Sequence, residues 1–304
     1  MQTQLYFYIK KSYLNTFPVK NSSVKFSILL LLLTLKIDSE SQKPMLPLNF
    51  DEVLKENNIT TRLLELAKFL TNTIPNLSIF NRILYDTDYS SDIEQLESFF
   101  DNKATLIKRL KSLEIDFNED ILGFAYQMCM EKHQMQDLCA YYTPLAIVKD
   151  VIMKYLKDVK YETPVFDPFC GTGRIGISMP FASGYDYDKY AVDVANINKL
   201  LYHGIISNPF TKQDFNTLNH EEHKRDYIFT NIPFQKSANQ NKALIVNLSK
   251  MVGKKAVVIL PSGHFDKMPN LPITHDFTIA ERLDISTFEP FTRVSTDVLL
   301  INQI

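Results

Sequence analysis

Between Phe50 and about Leu156 the apolar positions recur at helical spacing. Leu63, Leu64, Ala67, Phe69 and Leu70 fall on such a pattern, and so do Ile107, Leu110 and Leu113. That period lays side chains along one face of a helix. Pro75–Ser78 and Asp86–Ser91 are dense in turn-forming residues and predict loops. Asp120, followed by Ile121-Leu122-Gly123-Phe124-Ala125-Tyr126, predicts another helix with an acid at its N-terminus. After Glu162 the pattern changes. Pro164–Asp167 is a short apolar run ending in an acid, and Gly184–Tyr187 follows. Asp188–Tyr202 reads as an amphipathic helix closed by Gly204. Further strands are expected at Asp226–Thr230, Lys255–Leu260, Ile279–Ile285 and Asp297–Asn302. Strands alternating with helices imply an α/β fold, a doubly wound and mostly parallel sheet preceded by a helical region. In such sheets ligands bind at the carboxyl ends of the strands.

One apolar segment fits neither period. Ser27–Leu35 is a leucine run behind Lys10, Lys11, Lys20 and Lys25. It has the look of a secretory signal. It is too short for a membrane span, which takes roughly 20 apolar residues, and Lys36-Ile37-Asp38-Ser39-Glu40 follows it in place of a small-residue cleavage site. The expected organisation is a disordered or spurious extension over 1–44, a helical region over 45–135 and the α/β domain over 136–304.

Composition changes this picture little. The 304 residues are 45 % hydrophobic and 22 % charged, as in ordinary globular proteins. The formal net charge of −2 is unusual for a free-standing nucleic-acid binder, which is commonly basic. Cys129, Cys139 and Cys170 lack metal-ligand spacing and cannot all pair within one chain. They suggest a reducing, cytoplasmic setting.

The chemistry-bearing residues fall at strand ends. Asp167-Pro168-Phe169-Cys170-Gly171-Thr172-Gly173 follows one strand and opens a helix. Gly171 and Gly173 allow close backbone approach to a ligand. Asp167 is placed to hold a cation such as the ammonium group of a methionine moiety. Asp186 closes the next strand, where an acid can accept from ribose hydroxyls. With Gly176 the loop also fits the dinucleotide pattern G-x-G-x-x-G. A carboxylate just ahead of the turn would repel a pyrophosphate but suits an ammonium, so S-adenosylmethionine is the favoured ligand. Asp214, in a loop after a third short strand, is either an acceptor for the cofactor's adenine amino group or a solvated loop acid.

Asp226–Thr230 runs into Asn231-Ile232-Pro233-Phe234. Adenine N6 is a weak nucleophile because its lone pair is delocalised into the ring. Two acceptors that bind both amino hydrogens, the Asn231 side-chain oxygen and a nearby backbone carbonyl, would localise that pair for direct methyl transfer. Neither a metal nor a titrating base is required. Phe234 could stack on a base rotated out of the duplex. The bland alternative is a proline turn with a buried phenylalanine.

Taken together, these segments resemble the N6-adenine DNA methyltransferases, above all the modification subunit of type I restriction–modification systems. The resemblance runs from about Asp120 to the end of the chain. It is carried by Asp120–Tyr126, Tyr141-Tyr142-Thr143-Pro144, the loop Asp167–Gly173, Gly184 through Asn198 to His203-Gly204, Val257–Gly263, and Phe291 with Thr296 and Val298–Leu300. It implies a Rossmann-like class I methyltransferase with a seven-stranded, mostly parallel sheet. S-adenosylmethionine would be held by Tyr142, Thr143, Pro144, Asp167, Phe169, Gly171, Gly173, Asp186 and Asp214. Asn231, Ile232, Pro233 and Phe234 would form the catalytic turn. Double-stranded DNA would be the substrate, read by a separate specificity subunit or with low specificity, and neither membrane nor metal is expected. The family's turn is usually Asn/Asp-Pro-Pro-aromatic. Ile232 departs from it by lacking a fixed φ and adding an N–H, so restoring proline there should leave activity unchanged or raise it. Lys236, Lys242, Lys250, Lys254 and Lys255 could contact phosphates near the site or simply be solvated. Two other readings stay open: a non-catalytic subunit that keeps the fold, and a methyltransferase for another planar amine or amide.

Overall fold

The computed structural model describes residues 2–18, 21–55, 58–86, 90–101, 104–129, 143–160, 162–204, 209–234, 237–267, 274–284 and 294–304. The chain divides into two compact units, Met1–Glu131 with Asn196–Ile206, and Lys132–Ala195 with Ser207–Ile304.

The first unit is helical. Helix α1 (Gln2–Tyr6) runs on as a π-helical stretch, Phe7–Tyr13, and α2 (Ser22–Glu40) follows. Then come α3 (Phe50–Val53), α4 (Ile59–Thr73), α5 (Asn81–Tyr85), α6 (Ser90–Asp101), α7 (Ala104–Lys111) and α8 (Ile121–Cys129). The side chain of Asn21 caps α2 by accepting from the N–H groups of Ser23 and Val24, satisfying donors that no helical carbonyl can reach. Ile28–Leu33, Leu35 and Ile37 are all buried, and α2 packs on α4 and α8. The segment before Met45, expected to lie outside the folded protein, is helical here and supplies much of this unit's core. The physical reason is that a helix apolar on every face is also what a fully buried position requires. Buried Asp38 closes the segment by accepting from the N–H groups of Met45 (2.8 Å) and Leu46 (3.1 Å). Among the described residues no helix is long and apolar enough to cross a membrane.

The helix expected at Asp120 is α8. Asp120 Oδ1 accepts from the Gly123 N–H at 2.8 Å as its cap and from Asn198 Nδ2 at 2.9 Å. Of the loop expected at Asp86–Ser91, Ser90 and Ser91 begin α6 and residues 87–89 lie outside the described residues.

The second unit carries a seven-stranded sheet. Its strands are β1 (Phe166–Asp167), β2 (Ser183–Asp186), β3 (Thr211–Lys212), β4 (Arg225–Asn231), β5 (Val252–Pro261), β6 (His275–Leu283) and β7 (Thr296–Gln303). The order is β3-β2-β1-β4-β5-β7-β6. Pairing is parallel from β3 to β5 and antiparallel on both sides of β7. Helix α9 (Leu145–Tyr155) precedes β1, and between strands run α10 (Arg174–Ser178), α11 (Lys189–His203), whose residues from Asn196 on count with the first unit, and α12 (Ala238–Met251). Phe166, Ile228, Ile232, Leu244, Leu248, Ala256, Val258 and Leu299 share one core. Strands β4 and β5 are apolar over consecutive residues, as a sheet covered on both faces demands. The strand order reverses between β1 and β4, so the turns that leave these two strands open side by side.

Candidate functional site

The turn after β1 is built by its glycines. Gly171 and Gly173 hold φ of +50° and +79°. A Cβ on Gly173 would also lie 2.8 Å from the Cβ of Ala195. Both positions therefore need glycine, for conformation and for space. The neighbouring strand makes a second such demand. Gly184 pairs with Asp167 in the parallel ladder, and a Cβ there would sit 1.9 Å from the Asp167 carbonyl oxygen.

Asp167 ends β1 with its side chain buried. Its Oδ1 accepts from the Phe169 N–H at 3.0 Å and from the Thr230 hydroxyl at 2.6 Å. Burial pushes this carboxyl up to about 7, against those two hydrogen bonds, which favour the anion, while nearby Asp186 raises it slightly further. Asp186 ends β2. Its Oδ2 accepts from the Gly171 N–H at 2.8 Å and its Oδ1 from the Asp188 N–H at 2.8 Å. Burial pushes it up to about 6, again against its hydrogen bonds. Among the described residues neither carboxylate is bonded to a basic side chain.

Around this pair, Phe169 packs on Phe215 with ring centroids 4.6 Å apart. Gln213 donates its N–H to the Asp186 carbonyl at 2.9 Å, which brings the β3 end, and Asp214 after it, beside β2. Asp214 Oδ1 caps the short turn Phe215–Thr217 by accepting from the Asn216 N–H at 2.9 Å. Of the two readings left open for Asp214, a solvated loop acid or a ligand acceptor, this adds a third role, that of a turn cap. Thr143 is buried, and its carbonyl accepts from Arg174 Nη1 at 2.6 Å, fixing the start of α9, whose N-cap position is Pro144, to the start of α10. Tyr142 lies outside the described residues.

Asn231 ends β4 in register with Ile259 of β5. Ile232 then donates its N–H to the Ile259 carbonyl at 3.1 Å, prolonging the ladder by one bond. Its side chain is 1 % exposed and belongs to the sheet core. Pro233 is half-buried and Phe234 buried. Of the two readings of the lysines, phosphate contacts near the site or solvated surface, the positions of three favour the second. Lys254 and Lys255 lie near the amino end of β5, whereas these turns leave the carboxyl ends of the parallel strands. Lys254 pairs with Asp226 at 2.6 Å and Lys255 donates to the Tyr155 carbonyl at 2.6 Å. Lys250 stands at the C-terminal end of α12 and bonds Asn247. Lys236 lies outside the described residues.

Sequence reasoning missed Thr230 and Arg174. A threonine inside a strand reads as a β-branched strand former, so only the strand order, which sets β4 beside β1, exposes the partner of its hydroxyl.

The fold so built is that of the class I methyltransferases, with helices added at the N-terminal side. The N-6 DNA Methylase family model matches residues 117–256. No curated protein matches the sequence significantly. Among solved structures, a modification subunit of a putative type I restriction enzyme from Vibrio vulnificus YJ016 is 14 % identical; the alignment covers 100 % of this chain and 82 % of that one, with a TM-score of 0.54. A type I restriction-modification system methyltransferase subunit from Streptococcus thermophilus is also 14 % identical, with coverage of 100 % and 85 % and a TM-score of 0.58. A chain from a structure of the type I R-M system is 16 % identical, with coverage of 99 % and 74 % and a TM-score of 0.53. At such identities these likenesses establish the fold.

Proposed function

We propose that this protein transfers a methyl group from S-adenosylmethionine to N6 of adenine in double-stranded DNA, in the cytoplasm and together with a separate specificity subunit. The observation that carries the proposal is the convergence of two turns. Asp167, at the end of β1, and Asn231, at the end of β4, stand on neighbouring strands at the reversal of strand order, and Thr230 bonds the one strand end to the other.

The donor set suits the cofactor. Two carboxylates raised by burial, with no basic partner among the described residues, favour a ligand that brings its own positive charge. In this reading Asp167 accepts the ammonium of the methionine moiety and Asp186 the ribose hydroxyls. Gly171 and Gly173 leave the backbone open to close approach, Thr143, Pro144 and Tyr142 cover the ligand, and Phe169 lines its adenine side, with Asp214 nearby. Bound there, S-adenosylmethionine supplies an electrophilic methyl group on a sulfonium.

The turn does the rest. The Asn231 side-chain oxygen and the Ile232 carbonyl accept the two amino hydrogens of the target adenine and localise its lone pair along the line of attack. The new bond joins N6 to the methyl carbon as the carbon–sulfur bond breaks, and N6 then loses a proton to water. Phe234 and Pro233 offer an apolar surface to a base taken out of the stack. The near-neutral chain, at −2, supports a partner that supplies most of the positive field toward DNA.

Incubation with labelled S-adenosylmethionine and mixed DNA should place N6-methyladenine in the DNA, with a neighbouring specificity protein added where the chain alone is inactive. Absence of label in any DNA under both conditions overturns the proposal.

A further inference from the structure

We infer that Thr230 is a positioning residue, which orients the Asp167 carboxylate so that its second oxygen faces the cofactor; the inference rests on the cofactor reading above. Thr230 is fully buried and its hydroxyl lies 2.6 Å from Asp167 Oδ1. Packing alone does not call for that hydroxyl, because valine has the same shape and is the commoner filler of a buried strand position. The same Oδ1 accepts the Phe169 N–H at 3.0 Å. Two donors on one oxygen, one from β4 and one from the turn after β1, fix the rotation of the carboxylate. They also leave Oδ2 without a hydrogen bond among the described residues.

The electrostatics of the neighbourhood give the hydroxyl a second consequence. The titratable groups that face Asp167 are Asp186 on β2, whose charge disfavours the Asp167 anion, and Cys170 in the turn, whose thiol burial keeps protonated. The Thr230 hydroxyl and the Phe169 N–H are the groups that favour that anion. Removing the hydroxyl therefore takes away one of two orienting bonds and makes Asp167 harder to ionise. A variant that merely disturbs packing would weaken binding equally at every pH.

The test is calorimetric titration of the full-length chain with S-adenosylmethionine between pH 6 and 8.5, for wild type, Thr230→Val and Thr230→Ser. The valine variant should bind on the order of tenfold more weakly at pH 7, the equivalent of one pH unit in the ionisation of Asp167. The deficit should shrink as the pH rises. The serine variant, which keeps the hydroxyl, should bind within about twofold of wild type, since one orienting bond of ordinary strength is retained. If valine does not fold at this position, Thr230→Ala removes the same hydroxyl and carries the same expectation. A valine or alanine variant with the wild-type affinity and pH profile overturns the assignment, and so does a loss that serine shares or that is independent of pH. Failure of the wild type itself to bind S-adenosylmethionine removes the cofactor reading, and this inference with it.

Discussion

The backbone N–H of Ile232 donates to the carbonyl of Ile259 at 3.1 Å. A proline at 232 cannot make that bond, and it would leave a carbonyl on a buried central strand without its donor. It would also replace a side chain packed in the sheet core. From the sequence, proline there should leave activity unchanged or raise it. The structure adds a cost in stability. Ile232→Pro should lower the unfolding free energy by about 1–3 kcal/mol, read as an earlier midpoint in urea. Transfer per folded molecule should persist, because the 232 carbonyl remains. An unchanged midpoint would mean that the ladder bond is dispensable.

Asn231→Ala should separate the two halves of the site. Its side chain is proposed to meet the adenine amino group, and the donors to Asp167 and Asp186 among the described residues are other groups. Transfer of label to DNA should fall by at least about a hundredfold, the usual loss when one transition-state acceptor or donor is removed. S-adenosylmethionine binding by calorimetry should stay within about twofold, since no cofactor-site hydrogen bond is removed. A variant that retains transfer would shift the chemistry away from this turn.

Asp167 and Asp186 give the protein opposing pH dependences. Both carboxyls are raised from 3.8, to about 7 and about 6. The folded chain thus holds these protons more tightly than the unfolded chain does. Their contribution to stability is greatest at low pH and is lost as the pH rises from about 4 through about 7. A cationic ligand needs the ionised carboxylates and binds better as the pH rises through the same window. Thermal unfolding scanned from pH 5.5 to 8.5 should show a stabilising shift by S-adenosylmethionine that grows with pH. A shift that is constant across the range would exclude these carboxylates as the ligand's counter-charge.

Gly184→Ala probes the spacing of β1 and β2. The added carbon would fall 1.9 Å from the Asp167 carbonyl oxygen, a backbone atom that cannot turn aside. The strands must separate, at a cost on the order of 4 kcal/mol or more. Expression as insoluble protein, or loss of cooperative unfolding, is the expected result. A soluble variant with native stability would contradict the close approach.

Much of this was legible before any coordinates. The strands at Asp226, Lys255 and Asp297 announced themselves because strands buried on both faces carry unbroken apolar runs. The loop at Asp167–Gly173 did so because glycine and acid there are costly unless they are used. The leucine run at Ser27–Leu35 misled because periodicity carries no signal when every face is buried. For Lys254 and Lys255 proximity in sequence to Phe234 left a phosphate contact open, but α12 and the direction of β5 carry them to the opposite end of the strands. The Thr230–Asp167 bond joins residues that share no local pattern, and only strand order reveals it.

The burial of α2 also bears on how the chain is made. Its leucines are made well before α8, one of the elements that cover them, which ends at Cys129. At roughly 5–20 residues per second of translation, a segment greasy on all sides must wait for its cover for several seconds or longer. During that interval the nascent protein presents the surface that chaperones and targeting factors recognise. Its yield in the cell therefore depends on what meets that helix first as much as on the stability of the finished fold.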